Sequence, residues 1–191
     1  MVLRITALAL LLAVSSSPTH AQGTLPEPFV LDAAMTMTAL PGDGLSLLGG
    51  ALRLTYRPTS RCLHVFVEAA GGSTLAPDVD AIDATLVRGS VGALWGAANN
   101  KRAFFGVGVA IDLGWGRLEA PGPDTSGFTS SVTMRALLRH RLAKAFHVHA
   151  ALALGAVVRP RTVRLAAERG GFEGVVFGVE LGASFDLGRS D

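Results

Sequence analysis

Three features of the sequence together predict an all-β protein, an eight-stranded antiparallel up-and-down transmembrane β-barrel. The first is strict two-residue alternation, clearest in the last long segment, Gly174 to Leu187. Val175, Phe177, Val179, Leu181, Ala183, Phe185 and Leu187 share one parity; Gly174, Val176, Gly178, Glu180, Gly182, Ser184 and Asp186 share the other. Successive strand side chains point to opposite faces, so the segment has one apolar wall and one of mostly small or polar residues. The second is composition. The chain is 49% hydrophobic, yet past its N-terminal segment it holds no run of ~18 apolar residues that could span as a helix. Apolar content dispersed by alternation is what membrane strands produce. The third is punctuation, since clusters of Gly, Pro, Asn and Asp cut the chain into an even number of such segments.

Residues 1–21 read as a cleaved signal peptide. Arg4 supplies the basic start, Ile5 to Val14 the apolar stretch, and Thr19-His20-Ala21 a small-x-small-like cleavage site. The apolar stretch is too short to span a bilayer, and no Cys follows it to carry a lipid. Residues 22–191 are then one outer-membrane barrel domain. Seventeen basic residues stand against fifteen acidic ones, so no nucleic acid is expected as a partner. The single Cys62 rules out an intrachain disulfide framework.

The strands follow in order. The first is about Phe29–Leu40 and precedes Pro41-Gly42-Asp43-Gly44. The second, about Ser46–Arg57, ends at the tight Pro58-Thr59-Ser60-Arg61, and the third, Leu63–Ala70, enters a loop over Gly71–Asp80. The fourth, about Asp83–Gly96, turns through residues 97–101 into the fifth, Phe104–Leu118. A loop over Ala120–Gly127 leads to the sixth, Phe128–Arg139, which turns near Leu142-Ala143-Lys144. The seventh, Ala145–Val158, precedes the longest loop, Arg159–Gly171, and Gly174–Leu187 closes the set. Over Met134–Leu154 the Ala, Leu and Arg content favours a helix, which leaves a helical hairpin as the alternative. Period two still fits there, with Val132, Met134, Ala136 and Leu138 facing one way and Thr133, Arg135, Leu137 and Arg139 the other.

Short turns alternating with mostly longer loops place both termini on the periplasmic side and the loops near 41–45, 71–80, 119–127 and 159–173 outside the cell. On this topology Phe29, Tyr56, Trp95, Phe105, Phe146 and Phe185 fall on the outward parity at the periplasmic ends, and Trp115 and Phe128 at the other rim. Two aromatic girdles are expected at the two membrane interfaces. A soluble lipocalin-like barrel gives such rings no reason to gather at the strand ends.

The inward parity collects Asp32, Arg53, Arg57, Glu68, Arg88, Asp112, Arg135, Arg139, Glu180 and Asp186, with His64, His147 and His149. An eight-stranded bore is just wide enough to be filled by side chains. Five arginines matched by five carboxylates therefore read as an interlocked polar network, since unpaired buried charge is costly. An ion or proton conduit is the competing reading of the same residues. His147-x-His149 has a spacing compatible with a metal, but two lumen fillers is the simpler reading, and no metal or cofactor is expected. The histidines that could act as a base point inward or lie at a turn (His140), and no nucleophile elbow is present. No catalytic residues are assigned.

Glu180-x-Gly182-x-x-Phe185-x-Leu187 resembles the C-terminal insertion signal of outer-membrane barrels, which the barrel-assembly machinery reads. The chain as a whole resembles the small OmpA/OmpX-type barrels, here followed by four further residues, Gly188 to Asp191. That resemblance implies a monomer in the outer membrane of a Gram-negative bacterium, with outer-membrane lipid and lipopolysaccharide around it. It also implies a structural or surface-interaction role, since fold alone does not fix function. A lipid-modifying enzyme and a soluble periplasmic barrel for an apolar ligand are the alternatives. Arg159, Arg161, Arg164 and Arg169 in the last loop are candidates for lipopolysaccharide phosphate contact.

Overall fold

The computed structural model describes residues 29–41, 45–57, 62–75, 83–99, 102–119, 124–165 and 168–187. The segment read as a signal peptide and the C-terminal Gly188 to Asp191 lie outside the described residues. The described residues form ten strands: β1 Phe29–Leu40, β2 Leu45–Tyr56, β3 Leu63–Thr74, β4 Asp83–Asn99, β5 Ala103–Glu119, β6 Thr125–Arg141, β7 Phe146–Arg159, β8 Arg161–Leu165, β9 Glu168–Phe172 and β10 Val175–Leu187. Eight of them close into an antiparallel barrel in the order β1-β10-β7-β6-β5-β4-β3-β2. Each barrel strand is paired with a neighbour on both sides, so the closed sheet has no edge strand. The near end carries the start of β1 and the end of β10; the far end is opposite.

The register reproduces the parity at each seam. Phe29 pairs with both Leu187 and Tyr56, Phe146 with Phe185, and Trp115 with Phe128. Outward positions are exposed and apolar, among them Met35, Val67, Val91, Trp95, Ile111, Met134, Leu152 and Leu181. Between the near and far aromatic levels no Asp, Glu, Lys or Arg occupies an outward position of a barrel strand. An uninterrupted apolar exterior around a closed sheet is a lipid-facing surface. β6 and β7 pair from Ser131 to Arg141, so the region of helical propensity is strand, and burial of alternate residues overrides intrinsic preference.

Four parts of the chain depart from the sequence reading by three residues or more. β3 runs on through Gly71 and Gly72 to Thr74, opposite Gly50 and Gly49. These glycines are not turn residues but a close approach of two strands: a β-carbon on Gly49 would fall 1.9 Å from the Gly71 carbonyl oxygen. β4 continues through Asn99 into the expected turn. β6 begins at Thr125, inside the expected loop. The longest loop is largely a two-stranded hairpin, β8 with β9. It lies against β5 and β6, and Gly174, at φ 75°, turns its end into β10.

Candidate functional site

The lumen is where the charged side chains meet, because alternation sends every second residue of eight strands into one narrow space. In its middle tier Glu68 of β3 is the hub. Its Oε2 accepts from Arg53 Nε at 2.8 Å and Nη2 at 2.5 Å, and from Arg135 Nη1 at 2.8 Å. Arg53 also donates to Glu180, and Arg135 Nη1 lies 3.4 Å from Glu180 Oε1. Arg135 Nη2 donates to Asp112 Oδ1 at 2.8 Å, and Asp112 accepts from Ser90, Ser131 and Thr133. Arg88 Nη2 stands 3.8 Å from Glu68 Oε1. The Phe66 ring is shared by two guanidinium groups, at 5.2 Å from Arg53 and 5.3 Å from Arg135.

A lower tier lies toward the near end. Arg139 Nη2 donates to both Asp32 oxygens at 2.8 Å, and its Nε donates to Ser184 at 3.3 Å. Thr55 donates to Asp32 at 3.3 Å. His149 Nδ1 is 2.8 Å from Ser184 Oγ. At the rim Arg57 donates to Asp186 at 2.7 Å, whose other oxygen is 3.0 Å from His147 Nε2. His64 stacks on Phe104, with centroids 4.1 Å apart. The two tiers draw on all eight barrel strands and tie them across the bore. His147 and His149 are thus engaged by different partners, Asp186 and Ser184. No cluster of three or more His, Cys, Asp or Glu able to hold a metal occurs among the described residues.

Toward the far end the bore changes character. Leu40, Leu45, Leu47, Ala84, Leu118, Val176 and Phe172 form a buried apolar cluster. Phe172 comes from the end of the hairpin and enters the mouth like a cork. It is seated on Gly116, where a β-carbon would fall 2.3 Å from the ring's Cε2. A small space remains between cork and network, with Arg88, Asp112, Thr129 and Ser131 below and Leu86, Val157 and Phe172 above.

The ten charged lumen residues read from the sequence all line the bore. The eight aromatics occupy the two outer rims, with Phe29–Tyr56 and Phe146–Phe185 each packed at 5.2 Å. Of the four loop arginines, Arg159 is described and exposed, with its guanidinium 5.4 Å from the Phe128 ring centroid. The side chains of Arg161, Arg164 and Arg169 lie outside the described ones, although register places Arg164 opposite Arg169. The sequence reading had Thr133 and Ser184 on the inner parity but missed the hydroxyl partners Thr55, Ser90 and Ser131, which the same parity would have identified. It missed Phe172 because the hairpin shows no long alternating pattern.

No protein-family model matches the chain, and no curated protein matches it. Solved structures do. Neisserial surface protein A superimposes with a TM-score of 0.61 at 10% identity, covering 83% of this chain and 96% of that one. OprG, an outer-membrane protein of Pseudomonas aeruginosa, gives 0.54 at 10% identity, covering 89% and 100%. Ail of Yersinia pestis gives 0.53 at 17% identity, covering 83% and 95%. With a closed eight-stranded sheet, an apolar exterior and these neighbours, the chain has the fold of the small eight-stranded outer-membrane β-barrels.

Proposed function

We propose that this protein is a non-enzymatic, monomeric barrel of the Gram-negative outer membrane, with a structural or surface-interaction role. The observation that carries this is the filled bore. Two tiers of ion pairs and an apolar cork occupy its height, which favours a scaffold over a conduit. The imidazoles of His64, His147 and His149 are buried inside, and His140, on the outward wall of β6, pairs with Ala103 and Val148, neither of which is a nucleophile for a lipid-modifying site. The working surface is then the far end, facing out of the cell, and β10 carries the signal for the assembly machinery. By their descriptions, Neisserial surface protein A is a surface protein and Ail an attachment invasion locus protein. They lend support through the shared fold alone.

At that surface the hairpin arginines meet lipopolysaccharide phosphates. Arg159 stands beside the far-rim ring of Phe128. Arg164 and Arg169 are directly opposed across the hairpin, an arrangement that disfavours like charges and that a bridging phosphate would relieve. The test has two arms. In planar bilayers the purified barrel should conduct no more than protein-free membrane; steady unit conductance would contradict the scaffold reading. Folded barrel should bind lipopolysaccharide in a salt-sensitive way, as screening over ~8 Å requires. Replacing Arg159, Arg161, Arg164 and Arg169 with Gln should weaken that binding, and undiminished binding at low salt would remove the phosphate role.

A further inference from the structure

The near end carries a charge pattern that the far-end role does not use. The start of β5 and the end of β6 lie side by side there, since the Arg141 N–H donates to the Arg102 carbonyl at 2.7 Å and Ala103 pairs with His140. Residues 96–110 and 133–149 contain Lys101, Arg102, Arg135, Arg139, His140, Arg141, Lys144 and the inward His147 and His149 but no Asp or Glu. Arg135 and Arg139 are consumed in the lumen. Arg102, His140 and Lys144 are exposed at the near rim. Asp186, whose N–H donates to the Ala145 carbonyl, is already engaged through its carboxylate by Arg57 and His147.

Two further details fix the depth and order of this patch. His140 occupies an outward, lipid-side position two residues past Leu138 on β6, paired with Ala103 and Val148, each two residues from a near-girdle ring, Phe105 and Phe146. It is the one titratable residue on the outward wall of β6 from Val132 to the near end. Arg141 staples the turn, its Nε donating to the Ala143 carbonyl at 3.0 Å and its Nη2 to the Lys144 carbonyl at 2.5 Å. The next residue, Leu142, is exposed. A basic cluster held rigidly beside an apolar residue at girdle height has the chemistry of an interfacial lipid contact.

We infer that Arg102, His140, Arg141 and Lys144 form a binding site for the phosphate of an anionic phospholipid headgroup in the leaflet at the near end. The inference rests on the membrane-spanning barrel but is independent of any lipopolysaccharide contact at the far end. Barrel released in mild detergent would be equilibrated with equal amounts of phosphatidylglycerol and phosphatidylcholine, and the retained lipids weighed by native mass spectrometry. Phosphatidylglycerol should be retained at least about fivefold over phosphatidylcholine, the factor expected from even one basic contact. In the Arg102→Gln/His140→Gln/Lys144→Gln variant the ratio should fall toward one, with Arg141 kept because it staples the turn. Heat-modifiable gel mobility confirms that this variant is folded, and the single variant His140→Gln provides a milder step if it is not. A ratio unchanged in both variants overturns the site. So does an equal fall on Arg159→Gln, which lies at the opposite end. Displacement of the lipid by millimolar inorganic phosphate would show a free-anion site and overturn the lipid assignment.

Discussion

Glu180 and Leu181 are consecutive residues of β10, yet they live in different solvents. Glu180 is 3% exposed and shares Arg53 and Arg135 with Glu68; Leu181 is 62% exposed on the outer wall. The same contrast runs around the whole barrel. The inner wall tolerates five carboxylates and five arginines because they are paired inside the bore, in two tiers and a rim pair, whereas the outer wall carries none between the girdles. The two walls obey different rules. The outer one needs only an apolar residue at every second position, and almost any will serve. The inner one needs particular partners at particular heights, because removing one member leaves another charge buried without compensation.

The largest expected effect therefore comes from breaking the inner wall. Arg135→Ala strips a partner from Glu68, Asp112 and Glu180 together and should lower the unfolding free energy by ~3–5 kcal/mol in a urea titration of the folded barrel. Arg117 serves as the control, because it also pairs with two carboxylates, Glu119 and Asp124, but on the exposed far rim. Arg117→Ala should leave the same titration unmoved. Equal midpoints for the two variants would abolish the distinction between lumen and rim.

A smaller and more local effect is expected at the cork. Phe172→Ala leaves a void among Leu40, Leu47, Leu118 and Val176, costing ~3 kcal/mol of packing. The hairpin joins the barrel through short connections, so this loss should appear as faster protease cleavage within 160–173 while the barrel band stays intact. Cleavage at the parental rate would mean that the ring does not hold the hairpin in the mouth.

These contrasts also explain what could be read from the residues alone. The outer wall was legible except at its near edge: period two and the girdle aromatics need no knowledge of partners, but His140, read as a turn residue, stands on the outward parity of β6. The inner wall was legible as a list. Asp32, Glu68 and Arg135 could be placed inside, but that Arg139 takes Asp32 while Arg135 takes Glu68 depends on strand stagger, which parity does not carry. The far third of the bore was not legible. Leu40, Leu45 and Leu47 look like ordinary strand residues, and Phe172 stands in a Gly- and Arg-rich stretch whose strands are five residues each. The β2–β3 crossing was misread for a related reason. Gly71 and Gly72 have the composition of a turn but, opposite Gly50 and Gly49, the job of letting two backbones close up.

The measurement that bears most directly on the whole account is folding into liposomes of variants at two adjacent positions, scored by heat-modifiable gel mobility. Leu181→Arg places a charge in the lipid band at a cost of ~2–4 kcal/mol near the midplane, whereas Glu180→Gln keeps the outer wall intact. The account predicts that Leu181→Arg sharply reduces the folded band and that Glu180→Gln still inserts, with a lowered urea midpoint. A Leu181→Arg barrel that folds with the parental yield would contradict it, because that surface would then be facing water.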